Sequence, residues 1–480
     1  MTSTSRKPSL SFPLLFMLLA LALFALLPLT RATAQSLTSG DIAGLVTDPS
    51  GAAIPGATVT LVNTQTGAIK TVSTGVRGDY RFSLLPPGTY TVEAKATGFA
   101  PRKARVAVNV GQVEAANLAL QVGATTQTVT VTAEAAPVQT NNANVATSFS
   151  AAQVALIPNG GGDLTAMVQT APGAVMNTAM GYGNFSTFGL PGTSNLFTIN
   201  GQPDNDPFLN LNNSGPTNLT LGQSGVQQVT VVNNGYSGQY GGFGGANVNY
   251  VTKSGTNNFH GTATYNWNGR VMNANSFFNN AAGTPRATDN VNNWSVGFGG
   301  PIFKDKTFFY VNTDGLYVLL PTSVQALIPS PSYQAATLAN LAATGNGAET
   351  PFYTSLFKLY NGANGASRAT PLAGSCGTFT APGVTTCADS FYSNASNKTH
   401  EWDVAARVDQ HINADNTMYF RYSLDRGIQA TATDPINPTF DIFSNQPEYQ
   451  GQLNWTHSFS GASVNQLNLS ANHYSAIFGT

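Results

Sequence analysis

From Phe259 onward the sequence enters a strict two-residue alternation. Phe259, Gly261, Ala263, Tyr265 and Trp267 fall on one face, and His260, Thr262, Thr264, Asn266 and Asn268 on the other. Two is the side-chain period of a β-strand. Apolar outward and polar inward over about ten residues is what a strand needs with lipid on one side and water on the other. A soluble amphipathic hairpin has the same period, so repetition has to decide between them. The pattern does recur. Trp294, Val296 and Phe298 alternate with Asn293, Ser295 and Gly297. Trp402, Val404, Ala406 and Val408 alternate with Glu401, Asp403, Arg407 and Asp409. Beyond Asn413-Ala414-Asp415-Asn416, the residues Met418, Phe420, Tyr422 and Leu424 alternate with Thr417, Arg421, Ser423 and Asp425. Charges confined to one face suit a wall whose inner side is wet. Connections as short as Lys304-Asp305-Lys306 favour a barrel wall over isolated hairpins.

The start of the chain predicts export. Arg6 and Lys7 precede an apolar run from Phe12 to Leu29, and Ala32-Thr33-Ala34 is a small-x-small cleavage site. Residues 1–34 therefore read as a signal peptide, with the mature chain starting near Gln35. The run is short for the roughly 20 residues of a spanning helix. No later apolar run is long enough, so a membrane-embedded chain must cross as strands. Charged residues make up 9% of the chain, against roughly 25% in soluble domains. Lys and Arg are sparse and scattered, which argues against nucleic acid. Cys376 and Cys387, separated by GTFTAPGVTT, read in an exported chain as a disulfide closing a small loop; two free thiols are the alternative.

Sites for chemistry are wanting. The five histidines form no H-E-x-x-H pattern, and no Walker-type phosphate loop occurs. Asp204-Asn205-Asp206 offers hard oxygens, but it lacks the sixth-position Gly and the downstream Glu of a calcium loop, so a solvated loop is expected. No cofactor, no metal and no enzymatic activity are expected.

Residues 39–122 carry short β-rich runs between turn signals: Asp48-Pro49-Ser50-Gly51, Pro55-Gly56, Thr66-Gly67, Arg77-Gly78-Asp79 and Pro86-Pro87-Gly88. This spacing predicts a β-sandwich with Tyr80, Phe82, Tyr90, Val92 and Phe99 in its core. The ordered strings PGATVTL, GDYRF and LPPGTYTV resemble the carboxypeptidase regulatory-like domain, a transthyretin-like, carbohydrate-binding-like fold that carries no zinc ligands.

The string VTKSGTNNFHG, from Val251 to Gly261, resembles the plug–barrel boundary of TonB-dependent outer-membrane transporters of the Oar-like group. GGPIFKDKTFFY, from Gly299 to Tyr310, resembles a strand connection of the same group. The resemblance implies a mainly β chain with four parts: the sandwich, a linker over residues 123–149, an α+β plug domain over 150–253, and an incomplete transmembrane β-barrel over 258–480. Ser150-Ala151-Ala152-Gln153 is a capping-box pattern for a first plug helix, and Asp163 is placed to cap a second. Two departures stand out. IPNGGGD replaces the group's LPxxGR and lacks its Arg, and Asn200-Gly201 replaces Asp-Gly.

In the linker, Thr128, Val129, Thr130, Val131 and Thr132 resemble a TonB box, which would pair as an added strand with a periplasmic TonB-type energy transducer. The same string also reads as the last strand of the sandwich, or as a structural linker. Ligand-facing plug loops are expected at Tyr182, Phe185 and Phe188, and at Asp204, Asp206 and Phe208.

The implied function is a plug-gated receptor or transporter in a Gram-negative outer membrane, with outer-membrane lipid and the transducer as partners. Its ligand is a carbohydrate or another small molecule. A surface adhesin or carbohydrate binder working through the sandwich is the alternative. Residues 258–480 leave room for about six to eight strands, against about 22 in the family barrel. An unclosed, curved sheet packed partly around the plug is therefore expected, as is a chain that forms no working transporter by itself.

Overall fold

The sandwich segment folds as two facing sheets. In one, Gly40–Thr47 lies between Asp79–Leu85 and Val113–Ala115, and Leu118–Ala119 also pairs with it. The other runs in the order Val129–Thr132, Arg102–Val108, Gly88–Lys95, Thr58–Asn63, Ile69–Ser73. Alternation along Thr58–Asn63 and Gly88–Lys95 turns Val59, Leu61, Tyr90 and Val92 inward, where they join Ile42, Tyr80, Phe82 and Leu118. Phe99 packs half-buried at the margin of this core.

In the computed structural model, the described residues are 38–123, 129–132, 145–157, 162–176, 184–212, 215–217, 219–234, 243–281, 283, 285–286, 288–321, 324–460 and 463–479. The export segment, Thr128 and Tyr182 lie outside them. Ser36–Thr480 form one compact unit.

The plug is built on a five-stranded sheet, ordered Val145–Ser150, Val226–Asn234, Asn247–Thr252, Leu196–Ile199, Gln202–Pro203. Its valine-rich strands bury Val229, Val231, Val248 and Tyr250 against Val154, Leu164, Met167 and Phe197. Ser150 opens the helix Ala151–Leu156 through the expected capping box: its side chain accepts from the Gln153 amide while the Gln153 Oε1 accepts from Ser150 N at 2.9 Å. Asn200 and Gly201 take φ of +51° and +77° and join Leu196–Ile199 to Gln202–Pro203 in a two-residue hairpin. Asn and Gly tolerate such angles, so the departure from Asp-Gly keeps the turn. The second helix is shorter than expected, Thr165–Val168, and Leu164 is its cap. Asp163 instead accepts from Thr165 N at 3.0 Å and Thr220 N at 3.1 Å, tying two plug segments together.

The third part is one antiparallel sheet whose seven long strands form the wall: His260–Gly269, Asn290–Phe303, Thr307–Pro321, Ser396–His411, Asn416–Ala432, Glu448–Ser460 and Ser463–Tyr474. Among the described residues its first and seventh strands pair on one side only, so the sheet is unclosed. Connections are short at one rim, as at 304–306 and 412–415, and long at the other, as at 270–289 and 433–447. Short inner turns and long outer loops are the usual asymmetry of outer-membrane barrels. No helix among the described residues is long and apolar enough to cross a membrane, which says nothing against crossing by strands.

Between the third and fourth strands, on the rim of long connections, the chain folds into a small body of its own. Helices Pro331–Ala343 and Thr350–Asn361 pack with the strands Val324–Pro329, Thr370–Pro371 and Ala388–Ser393 around Ala326, Ile328, Ala363 and Phe391. The helix start was written in Ser330-Pro331: the Ser330 hydroxyl accepts from Tyr333 N at 3.2 Å, and Pro331 sits at the first helical position. Cys376 and Cys387 are joined within this body, with their Cα atoms 4.8 Å apart. Closing a loop of this size contributes roughly 3 kcal/mol in the entropic account. Mass mapping of the exported chain is therefore expected to find no alkylatable thiol, and reduction to make the outer body more sensitive to protease. Two reactive thiols in the exported chain would refute this.

Candidate functional site

The wall is largely polar where it is buried and largely apolar where it is exposed. Facing the plug, Ser295, Asn312, Asp314, Glu401, Arg421, Gln450 and Gln452 are all buried. On the opposite face Tyr265, Trp267, Phe298, Trp402, Phe420, Tyr422 and Leu469 are exposed. A water-soluble sheet would show the reverse. The outward face fits hydrocarbon, and the inward face needs hydrogen-bond partners.

The plug supplies those partners mostly from its turns. The Ser224 hydroxyl donates to Asp314 Oδ2 at 2.7 Å, its amide donates to Ser295 Oγ at 3.0 Å, and its carbonyl accepts from the Tyr310 hydroxyl at 2.7 Å. Thr217 N donates to Glu401 Oε2 at 2.8 Å. The Asn200 amide donates to Gln452 Oε1 at 3.1 Å, a bond an aspartate there could not make unless protonated. Arg407 donates to the Thr252 hydroxyl at 2.9 Å, pairs with Asp409 at 2.7 Å, and stacks 3.9 Å from the Tyr419 ring centre. Thus the wet-face positions Glu401, Arg407, Asp409 and Arg421 do line the inside.

Strand register brings four wall carboxylates into a row. Asp314 stands opposite Asp403, Asp403 opposite Asp425, and Asp425 opposite Glu448. Like charges in such a row repel. Gly215 enters beside it at φ +65°; a Cβ there would lie 2.5 Å from Glu401 Oε1 and 2.8 Å from Asp425 Oδ2. Only glycine lets the plug backbone approach these carboxylates so closely. The neighbouring cation is Arg421, which reaches the plug through Gln450: Arg421 donates to Gln450 Oε1 at 2.7 Å, and Gln450 donates to Asp204 Oδ1 at 3.1 Å. Burial, and then the Glu448 carboxylate, hold the Asp204 carboxyl well above the usual range, with Arg421 offsetting part of this.

The residues expected to face a ligand divide. Phe185 is fully buried, which corrects the expectation. It sits in a three-residue strand paired with Ala174–Met176, whose alternation turns it into the plug core, edge-on to Phe197 at 5.9 Å. Asp206 is also structural: Oδ1 accepts from Phe208 N and Leu209 N at 2.9 Å each, and Oδ2 accepts from Leu211 N at 3.0 Å. Asp204 faces the wall, not open solvent. Phe188 and Phe208 are exposed, and Phe208 packs on Tyr474 of the seventh wall strand at 5.7 Å between ring centres. Asn205 is held within the plug, accepting from Phe197 N at 2.8 Å. Among the described residues no group of three or more His, Cys, Asp or Glu is placed to hold a metal.

The linker strand Val129–Thr132 pairs in parallel with Arg102–Arg105, at the edge of the sandwich sheet. Of the readings left open by the sequence, this arrangement is the one in which the string is a strand of the sandwich.

Arg421→Ala is expected to lower the stability of the detergent-solubilised chain by about 3–5 kcal/mol, because it leaves buried carboxylates without their cation. The measurement is the chemical-denaturation midpoint together with protease sensitivity of the plug. A shift no larger than that of an exposed-face control, Phe420→Ala, would count against the network.

Parts of the chain are similar to known proteins. Residues 251–479 match an outer membrane beta barrel domain, and residues 41–121 match a carboxypeptidase regulatory-like domain. Over 254 residues the chain is 29% identical to the TonB-dependent transporter Oar of Myxococcus xanthus, covering 50% of this chain and 23% of that protein. Among solved structures it is similar to the outer membrane transporter YddB from Escherichia coli, with TM-score 0.44 and 11% identity over 69% of this chain and 39% of that one. It is also similar to the siderophore receptor PirA from Pseudomonas aeruginosa, with TM-score 0.41 and 10% identity over 70% of this chain and 41% of that one. The chain thus spans well under half the length of these relatives. It joins a carboxypeptidase regulatory-like domain to an outer membrane beta barrel domain, and it is similar to the TonB-dependent transporter Oar.

Proposed function

We propose that the chain is part of a plug-gated outer-membrane transporter energised from the periplasm. The observation that carries this reading is the contact between plug and wall. It is made of side-chain and turn hydrogen bonds to a polar wall, and the plug's own apolar core contains no wall residue. Polar contacts of this kind exchange for water at modest net cost, about 0.5–1.5 kcal/mol each. A plug held so is firmly positioned yet able to rearrange. Among the described residues Phe188 and Phe208 are exposed aromatics of the plug and stand as candidates to meet a ligand. The reaction is translocation, and the residues described need break no covalent bond.

The energy-coupling segment is assigned to Thr128–Thr132. Its described part, Val129–Thr132, is an edge strand, and strand addition needs a free edge and little sequence specificity. The sandwich contacts the rim of short turns, which supports a periplasmic position and a role other than surface adhesion.

Val129→Pro removes a backbone donor and disrupts strand pairing. The variant is expected to lose capture by the purified periplasmic domain of the transducer, while the chain stays in the membrane through an alkaline wash. Undiminished capture would place the coupling segment elsewhere.

A further inference from the structure

We infer that the sandwich is a second closure of the transport path, seated across the periplasmic rim beneath the plug and released when its edge strand is pulled. The contacts that seat it are specific. Asn257 N, just ahead of the first wall strand, donates to the Gln65 carbonyl of the sandwich at 3.0 Å. Gly67, in the same sandwich turn, lies so close to the wall turn 304–306 that a Cβ on it would be 2.5 Å from Asp305 Oδ1. Lys70 Nζ donates to Ser458 Oγ of the sixth wall strand at 3.3 Å. Val110 N donates to the plug's Gln228 Oε1 at 3.2 Å. One body thus touches two separate wall connections, the sixth strand and the plug sheet.

Between sandwich, plug and wall lies a chamber of about 620 Å³, lined by Gln65 and Lys70 of the sandwich, Thr252 and Lys253 of the plug, and Arg407 and Thr456 of the wall. Burial lowers the affinity of Lys70 for its proton, partly offset by Asp415. Sandwich residues form one side of this chamber.

The sandwich is built to leave. The sandwich core and the plug core share no residue, and neither contains a wall residue. Bodies joined by polar contacts and separate cores move apart without unfolding. The handle is Val129–Thr132, hydrogen-bonded to Arg102–Arg105 of the sandwich and lying in sequence between sandwich and plug. Tension on that strand loads the sandwich before the plug. The closing of a transport path and its release rest on the transporter reading above; the seating of the sandwich over the chamber does not.

The test uses Thr456→Cys, inside the chamber, in the full chain carried in the outer membrane of EDTA-permeabilised cells. Labelling by a bulky maleimide is expected to be slow with a protonophore and at least several-fold faster in energised cells. Adding Gln65→Cys and Asn257→Cys, which form a disulfide across the Asn257–Gln65 contact, should abolish the energised labelling; with Cys376→Ser and Cys387→Ser also in place, reduction by dithiothreitol that is washed out before the maleimide is added should restore it. Gly67→Leu, which strikes Asp305, should label fast without energy. Gly51→Cys, at a position with open space around it, should not pair with Asn257→Cys. The closure is overturned by fast labelling of de-energised Thr456→Cys, by energised labelling that the disulfide does not slow, or by a Gly51→Cys disulfide as ready as that of Gln65→Cys. Energy-dependent labelling that persists without the transducer would sink the transporter reading and leave the seating of the sandwich over the chamber standing.

Discussion

A sheet with apolar side chains outside and polar ones inside has to find hydrogen-bond partners for its inner face. Leaving one buried polar group unpaired costs about 1–3 kcal/mol. Here those partners come from the plug. Ser224, Thr217, Asn200 and Asp204 meet Asp314, Glu401, Gln452 and Gln450 at separate points along the wall. Because each bond is directional, together they fix where the plug sits far more tightly than apolar contact would. The same contacts explain why the plug offers turns and glycine to the wall. Gly215 brings bare backbone to two carboxyls, and the Asn200-Gly201 turn brings an amide to Gln452.

Much of this was legible from periodicity. Trp402 and Phe420 lie outside and Glu401 and Arg421 inside, as the alternation requires. The Ser150 capping box was readable because it depends on neighbours within a few residues, and the sandwich core because its strands alternate inward and outward between clear turn signals. The failures are long-range. Phe185 looked like part of an apical loop because its burial depends on pairing with Ala174–Met176, a register that periodicity alone does not give. The row from Asp314 to Glu448 is invisible in sequence, since it arises from register across four strands. Composition concealed the outer body, although Ser330-Pro331 announced its first helix.

One of the two departures from the family pattern also gains a physical meaning. Asn in place of Asp at position 200 removes a charge from a fully enclosed site and adds a donor that Gln452 accepts. In a region already holding Asp204, Asp425 and Glu448, another carboxylate would add repulsion.

The pairing of Val129–Thr132 with Arg102–Arg105 has a mechanical direction. A force along the strand axis is a shear load that the ladder's hydrogen bonds share at once. A force across the axis from one end peels them one after another. A parallel pair has both strands running the same way, so the chain leaves Thr132 at the end of the ladder where Arg105 stands. Pull from beyond Thr132 along the axis meets the whole ladder, whereas pull away from the sheet meets a single bond first. The same four residues are therefore a strong tether in one direction and a zip fastener in another, and the angle at which force arrives decides which.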